Sequence, residues 1–152
     1  MVTDYFFTCS TRRAARAFSS NGAGKIWLYY FNQDLSWLES FIFGDGLLGN
    51  YHTSELDFVF GNEWPLGLHS FTDSERNLSN EMMTYWTNMA RYGSPNSAET
   101  KTQWPSYQYN TSIKAENFMN LRTPLQADED LMGEKCDFWD KIVEKLQSGG
   151  QY

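Results

Sequence analysis

The sequence predicts an α/β fold, and three patterns of apolar residues support that prediction. Residues 25–31, KIWLYYF, end in six consecutive apolar or aromatic side chains without alternation, which is typical of a parallel strand buried on both faces. A predicted helix, residues 10–19, precedes this strand closely, as in half of a strand–helix–strand unit. Residues 74–91 and 128–146 carry apolar side chains at helical spacing. The strand expected before the first helix is not in the sequence, which suggests that the domain begins elsewhere.

The first predicted helix has its own start and stop signals. The Ser10 side chain can cap its N-terminus, and its predicted apolar face is formed by Ala14, Ala15 and Phe18. The run SSNG follows, and Gly22 can adopt the left-handed conformation that terminates helices. The helix is therefore expected to be short and to lead directly to the strand.

Loops and short elements fill the middle and the end of the chain. Residues 32–51 form a long connection rich in glycine and aromatic residues, and connections of that length are usually functional. A short apolar segment follows at residues 56–61, and another loop at residues 61–73. Residues 116–121 alternate in part, which predicts a small edge strand. Residues 147–152 form a loose tail after the last helix.

The helix at residues 74–91 has the strongest local signals in the chain. Thr72 and Glu75 have the spacing of a capping box at its N-terminus. Gly93 follows its C-terminus and can terminate it. Its predicted buried stripe consists of Leu78, Met82, Trp86 and Met89, and is widened by Met83, Tyr85 and Ala90. We interpret this stripe as core packing.

Composition excludes several classes of partner. The 152 residues are 41% hydrophobic and 17% aromatic, which is enough for a core and excludes wholesale disorder. The net charge is -7 and no basic patch occurs, so neither nucleic acid nor an anionic membrane surface is an expected partner. No apolar run reaches the length of a transmembrane helix.

Two features suggest a secreted parent protein. Cys9 and Cys136 are an even pair of cysteines, either buried thiols or a disulfide, and Asn77 and Asn110 begin glycosylation sequons. The N-terminus lacks the pattern of a signal peptide. We therefore expect the signal peptide in an N-terminal part that is missing from this chain.

His52 is the main candidate for chemistry. A histidine in a loop after a buried parallel strand is either a structural residue or a general base, since its ordinary pKa lies near neutrality. No Gly-x-Ser-x-Gly elbow accompanies it in the sequence. Glu55 could orient it, although short spacing of that kind is common by chance.

A metal site and a cofactor are not expected. A metal site could be proposed from His52, His69, Glu55 and Asp57, but their spacing matches no usual two-histidine ligand motif. His69 has no supporting feature, and we interpret it as a surface or structural residue.

Four segments together resemble the type-B carboxylesterase and cholinesterase family. Residues 51–61, YHTSELDFVFG, are similar to the family's histidine loop, and residues 83–96, MTYWTNMARYGSPN, to its Tyr-Trp-Asn-Phe-Ala-Arg-x-Gly-x-Pro-Asn stretch. The WPSY and CDFW segments match two further signatures in the right order. The resemblance covers nearly all of residues 5–146. It implies that residues 1–146 are the C-terminal portion of one α/β-hydrolase domain, with residues 25–31 as the last strand of its central parallel sheet.

The resemblance also implies roles for individual residues. His52 would be the general base of a Ser-His-Glu/Asp triad, and Glu55 would belong to a polar network behind the active site rather than act as the triad acid. Cys9 and Cys136 would form a disulfide between the first and last helices. Ser54 stands where cholinesterases carry an aromatic residue, which favours a general carboxylesterase over a choline ester specialist. The loop at residues 32–51 would line part of the substrate gorge, with Trp37, Phe41 and Phe43 as candidates.

The function expected from the resemblance is that of a secreted serine hydrolase of small carboxylic esters. The triad serine, the triad acid and the oxyanion loop have no counterpart in the sequence, so the chain alone is expected to be inactive and to need the preceding part of its domain. An alternative is a cholinesterase-like adhesion or binding module without catalysis. A genuine short protein is a third possibility, in which self-association would have to cover the buried strand.

Overall fold

The computed structural model describes residues 3–22, 24–34, 50, 53–63, 70–109 and 116–149. The chain forms two compact units. Unit 1 comprises residues 1–28, 105–118 and 128–152, and unit 2 comprises residues 29–104 and 119–127. Helices and strands occur together in one chain, which confirms the predicted α/β class.

Four α-helices and three strands are the regular elements of the described residues. A π-helical turn, Asp4–Thr8, leads into helix α1, Cys9–Ser20. The later helices are α2 (Leu56–Phe60), α3 (Asp73–Tyr92) and α4 (Gly133–Gln147). The strands are β1 (Tyr29–Phe31), β2 (Asn117–Leu121) and β3 (Gln126–Glu129). Among these described helices, none combines the length and apolar character that a bilayer crossing requires.

The three strands form one sheet in the order β1-β2-β3. β1 and β2 are parallel, with Tyr29 opposite Met119 and Phe31 opposite Leu121. The prediction that β1 is a parallel strand is therefore confirmed. β3 follows β2 after a short turn at residues 122–125, a connection that only an antiparallel neighbour allows. The sheet is thus mixed.

Two predictions about these strands were wrong. Residues 116–121 were expected to form an edge strand, but β2 is the central strand, and Phe118, Met119 and Leu121 in it are buried. Residues 25–31 were expected to form the last core strand, buried on both faces. Only Tyr29–Phe31 is a strand, it is half-buried, and β2 and β3 follow it in the chain. The central position gives β2 a partner on each side, whereas β1 has one described partner.

The start of α1 also differs from the prediction. Ser10 does not cap the helix, because the π-helical turn already continues it toward the N-terminus. The Ser10 hydroxyl instead donates hydrogen bonds to the carbonyls of Phe6 and Phe7. Of the predicted apolar face, only Ala15 is buried, and Phe18 is 57% exposed. The helix turns a different face inward, which begins at Cys9 and includes a charged residue.

That charged residue is Arg12, which is 2% exposed. Its Nε donates to Glu116 Oε2 at 2.9 Å, its Nη1 to the Gly133 carbonyl at 3.1 Å, and its Nη2 to Asp137 Oδ1 at 2.7 Å. Arg16, one turn further on, donates from Nε to Glu116 Oε1 at 2.7 Å. Both oxygens of the buried Glu116 carboxylate are therefore paired. Such pairing is what a buried ion pair needs to offset its loss of hydration.

The charges of this network affect the neighbouring titratable groups. Burial alone would lower the pKa of Arg12, but its hydrogen bonds to Glu116 and Asp137, together with the negative charges of these residues, outweigh burial and raise that pKa. Burial, and next the Glu116 charge, raises the pKa of the Tyr107 hydroxyl. Arg12 is therefore held in its charged form and Tyr107 in its neutral form. Unit 1 thus has charged groups inside its core.

The predicted disulfide is confirmed, and it also lies in unit 1. Cys9, the first residue of α1, is bonded to Cys136 in α4, and both are fully buried. The two cysteines are 127 residues apart in the sequence. Closing a loop of that length removes chain entropy from the unfolded state, which stabilises the folded state by about 5 kcal/mol in the loop-entropy model.

Helix α3 in unit 2 agrees closely with its prediction. The Thr72 side chain accepts a hydrogen bond from the Glu75 amide, and the Glu75 carboxylate accepts one from the Thr72 amide. Gly93 ends the helix in the left-handed conformation. Leu78 and Met82 are buried as predicted, but Met89 is 37% exposed. Tyr85 takes the next buried position.

The last helix was predicted at residues 128–146, but α4 begins only at Gly133. The residues before it contain β3 and Met132, whose φ of 50° is left-handed and interrupts helical geometry. Asp128 and Glu129 were included in the helix because their spacing does not exclude it, but they belong to β3. Their pairing with β2 is a tertiary contact that periodicity does not report.

The buried ion network leads to a first prediction. Replacing Arg12 with Leu leaves the buried Glu116 carboxylate with Arg16 alone, and should lower the free energy of unfolding by about 3–5 kcal/mol. Arg13 is the matched control on the same helix, since its pair with Asp140 is partly exposed. The change Arg13→Leu should cost about 0–1 kcal/mol. Urea unfolding of both variants measures the difference, and equal losses would contradict the role of Arg12.

Candidate functional site

Several residues of the predicted site lie outside the described residues. They are His52, His69, Asn110 and the three aromatic gorge candidates Trp37, Phe41 and Phe43. In the part of the chain that the structure does describe, no group of three or more His, Cys, Asp or Glu side chains could hold a metal ion. The metal hypothesis involved both histidines, so it is not tested by this observation. The described residues nevertheless include Asn50, two positions before His52 in the sequence, and residues 53–63, which follow it.

The carboxyl ends of β1 and β2 are joined by polar side chains. The amide of Asn32, the residue after β1, donates to the carbonyl of Leu121, the last residue of β2, at 3.0 Å. Gln33 is buried, and its Oε1 accepts from the amide of Thr123 at 2.9 Å and from its hydroxyl at 3.0 Å. Asn50 Nδ2 donates to Asn32 Oδ1 at 3.2 Å. The loop therefore returns, at Asn50, to the edge of the sheet that it left.

The turn that follows position 52 has a constrained backbone. Thr53 has a φ of 77°, which is unfavourable for a β-branched residue. Its carbonyl accepts a hydrogen bond from the Leu56 amide at 3.0 Å, which closes the turn into α2. Ser54 inside this turn is buried. Backbone strain of this kind is frequent at functional sites and is maintained by the surrounding packing.

Glu55 is half-buried at the N-terminal end of α2. Burial raises the pKa of the Tyr29 hydroxyl, and the negative charge of Glu55 raises it further. The Tyr29 ring packs against Trp86, with ring centroids 5.3 Å apart, and against Trp104, at 6.0 Å. The carboxylate thus lies near an aromatic cluster at the start of β1. The polar network predicted for Glu55 remains a prediction.

Helix α2 is fixed to α3 by a hydrogen bond and to β1 by an aromatic contact. The Ser79 hydroxyl of α3 donates to the Phe58 carbonyl at 2.8 Å, and both residues are buried. The Phe58 ring packs against Phe31 of β1 and against Phe71, with centroid distances of 5.4 and 4.7 Å. The segment after position 52 therefore has a defined position beside β1. The sequence predicted an apolar segment here but not that it is a helix.

Gly61 ends α2 in the left-handed conformation, with a φ of 64°. A Cβ at this position would lie 3.1 Å from the Met83 sulfur, so the helix end approaches α3 closely. The left-handed backbone favours glycine here, and a Cβ would also require the end of the Met83 side chain to move by a few tenths of an ångström.

Of the two predicted glycosylation sites, only Asn77 lies in the described residues. It is exposed on the first turns of α3, where a glycan could project into solvent.

Comparisons with known proteins agree with this architecture. The sequence model of the carboxylesterase family matches residues 1–139. This chain belongs to the carboxylesterase family. The matched residues include both cysteines of the disulfide and the histidine-loop motif at residues 51–61.

Individual relatives are named acetylcholinesterases and a fatty acyl-CoA hydrolase. Acetylcholinesterase 1 of Caenorhabditis elegans is 37% identical over 80% of this chain, and that of Caenorhabditis briggsae is 32% identical over 97%. The medium-chain fatty acyl-CoA hydrolase precursor of Anas platyrhynchos is 34% identical over 64% of the chain. The chain spans only 24% or less of the length of these relatives.

Sequence reasoning missed two features of the described residues around position 52. It did not identify Asn32 and Gln33 as the groups that join the ends of β1 and β2, although polar residues directly after an apolar run were a usable signal. It also did not identify Ser79 as the anchor of α2, because a serine inside an amphipathic helix carries no local sign of its partner.

The glycine at the end of α2 allows a controlled test of this geometry. Gly61→Ala should cost more than Gly93→Ala, since both glycines have left-handed backbone but no neighbouring atom lies within 4 Å of a Cβ at Gly93. The backbone term alone is about 1–2 kcal/mol for each variant. Thermal unfolding of the two variants measures the additional cost of the Met83 contact. Equal destabilisation would show that the Met83 side chain moves aside without cost and that this contact adds nothing to the backbone term.

Proposed function

We propose that this chain is the C-terminal part of a serine carboxylic ester hydrolase and that its His52 is the general base. Residues 1–146 would then complete one α/β-hydrolase domain together with a preceding part, and residues 147–152 would be its tail. The observation that carries this proposal is the Asn50–Asn32 hydrogen bond. It holds a residue two positions before His52 at the carboxyl edge of a parallel strand pair, where α/β proteins gather their catalytic groups.

The proposed chemistry is acyl transfer through a serine ester. His52 removes the proton from the serine hydroxyl as its oxygen forms a bond to the ester carbonyl carbon. The bond to the alcohol oxygen then breaks, and His52 returns the proton to the departing alcohol. Water repeats the sequence to release the acid and regenerate the serine. No cofactor takes part.

The remaining catalytic groups belong, in this proposal, to the preceding part of the domain. They are the serine, the triad acid and the oxyanion-binding amides, for which this sequence has no counterpart. Glu55 supports the site through a polar network and is not the triad acid. The relatives are named for different substrates, acetylcholine and fatty acyl-CoA, so the proposal stays with the broad class of small carboxylic esters and names no particular acyl or leaving group.

A secreted location is part of the same proposal. The Cys9–Cys136 disulfide supports it, because disulfides persist mainly in oxidising compartments. The exposed position of the Asn77 sequon is compatible with it.

The isolated chain should not hydrolyse esters. Without the nucleophile, turnover of a p-nitrophenyl ester by the purified 152-residue chain should equal the background rate given by free imidazole at the same concentration. A fluorophosphonate probe, which labels activated serines, should not attach to it. Rapid turnover that disappears in His52→Ala would contradict this expectation.

In a protein that contains this chain and hydrolyses esters, His52→Ala should lower kcat by about 10⁴- to 10⁶-fold, the range found when triad members are removed. His69→Ala is the matched control, since it removes the second histidine of the chain and should leave kcat/KM unchanged. Unfolding midpoints of both variants separate a catalytic loss from misfolding. Comparable activity of the two variants would overturn the role of His52.

A further inference from the structure

The chain leaves helix α1 at an exposed Asn-Gly pair, Asn21–Gly22. Asn21 is the only asparagine in the sequence that directly precedes a glycine. Its backbone angles, φ −95° and ψ 9°, have already left the helical range. Gly22 follows in the left-handed conformation, with a φ of 68°. The pair therefore lies at the end of regular structure.

The backbone nitrogen of Gly22 is unobstructed. Its N–H has no hydrogen-bond partner among the described residues, whereas the N–H of Asn21 donates to the Ala17 carbonyl at 3.1 Å. A Cβ added at Gly22 would have no neighbouring atom within 4 Å, so the space around this residue is open. The Gly22 nitrogen can therefore turn toward the Asn21 side chain without breaking a hydrogen bond of its own.

The Asn21 side chain is held only at the end of the helix. Its Nδ2 donates to the Ala17 carbonyl at 2.7 Å, and local opening of a helix end costs little free energy because helices fray there. Asn96 is the contrasting case. Its Nδ2 donates to the Trp104 carbonyl and its Oδ1 accepts from the Trp104 amide, both at 2.8 Å. The Asn96 carboxamide is thus fixed, and a serine rather than a glycine follows it.

We propose that Asn21 is a site of spontaneous deamidation, at which the folded chain converts asparagine to aspartate and isoaspartate. The Gly22 nitrogen loses its proton to water and forms a bond to Asn21 Cγ. The bond from Cγ to Nδ2 breaks, and Nδ2 takes up a proton and leaves as ammonia. Glycine favours this attack because no side chain hinders its nitrogen and its backbone rotates freely.

The product of that step is a five-membered imide, which water opens. Hydrolysis of the bond between the Gly22 nitrogen and Cγ gives aspartate, and hydrolysis of the bond to the main-chain carbonyl carbon gives isoaspartate. One ammonia is released and one water is consumed. The reaction is independent of ester hydrolysis, so its failure would leave the proposed function untouched.

Deamidation weakens the C-terminal end of α1. Aspartate cannot donate the hydrogen bond that Asn21 Nδ2 gives to the Ala17 carbonyl. Its negative charge also lies at the negative end of the helix dipole, where anions are unfavourable. The same last turn contains Ser19, whose hydroxyl accepts a hydrogen bond from the Tyr109 amide at 3.1 Å. The reaction therefore weakens the helix end that holds this contact.

The test follows the purified chain, or a longer protein that contains it, during incubation in its folded state at neutral pH. Digestion at acidic pH avoids deamidation of the denatured sample, and mass spectrometry then compares the peptides. The Asn21 peptide should gain the mass of an NH₂-to-OH exchange, with isoaspartate identified by electron-transfer fragmentation. The Asn96 peptide is the internal control and should not change. An Asn21 that stays unmodified in the folded protein would overturn the proposal, whether or not the urea-unfolded protein reacts.

Two glycine substitutions make the test specific. Gly22→Ala places a methyl group beside the reacting nitrogen and should slow deamidation of Asn21 by about tenfold or more, a barrier increase of at least about 1.4 kcal/mol. Gly24→Ala is the matched control, because Gly24 also has a left-handed φ, 92°, and open space around an added Cβ. It should leave the rate unchanged. Equal slowing in both variants, or none in either, would contradict attack by the Gly22 nitrogen.

The effect on the helix end is measured with Asn21→Asp, which reproduces the aspartate product. Its melting temperature should be about 1–4 °C lower than that of the unmodified protein. Asn80→Asp is the control, since it adds the same charge at an exposed position within α3 and should leave the melting temperature unchanged. A loss of equal size in both variants would show that added negative charge, and not the end of α1, causes the effect.

Discussion

Glu116 is a buried carboxylate whose two oxygens must both be paired, and much of the structure depends on how that requirement is met. Arg12 and Arg16 of α1 supply the partners, and Arg12 also reaches α4 through Asp137. The disulfide joins the same two helices independently. Because Glu116 directly precedes β2, these contacts fix the point where the central strand begins. In unit 1, the ion pairs of Glu116 and Arg12 and the Cys9–Cys136 disulfide therefore join elements that apolar packing joins in most small cores.

The C-terminal end of β2 is connected by hydrogen bonds to Asn50, which is close in sequence to the proposed general base. Asn32 and Gln33 tie the exit of β1 to the residues at the end of β2, and Asn50 brings the long loop back to the same place. The chain then makes a constrained turn and enters α2, which Ser79 holds on α3. Polar contacts thus fix both flanks of the histidine-loop motif. A general base needs such support, since small displacements of a catalytic group cost large factors in rate.

The success of sequence-based prediction depended on whether the decisive contacts were local. α3 was predicted almost to its ends because the Thr72–Glu75 capping box and the stop at Gly93 act within one turn. The inward face of α1 was predicted wrongly because Arg12 is buried by Glu116, a partner 104 residues away. β2 was taken for an edge strand for the same reason, since strand order is a long-range property. The family, by contrast, was identified correctly, because ordered motifs carry information that periodicity does not.

The proposal that His52 is a triad base predicts one distance that an experimental structure can measure. In a crystal structure of an ester-hydrolysing protein that contains this chain, an imidazole nitrogen of His52 should lie about 2.6–3.2 Å from the Oγ of the nucleophilic serine. The serine would come from the preceding part of the domain. An imidazole hydrogen-bonded only to groups of this chain, with no serine hydroxyl in reach, would contradict the proposed role.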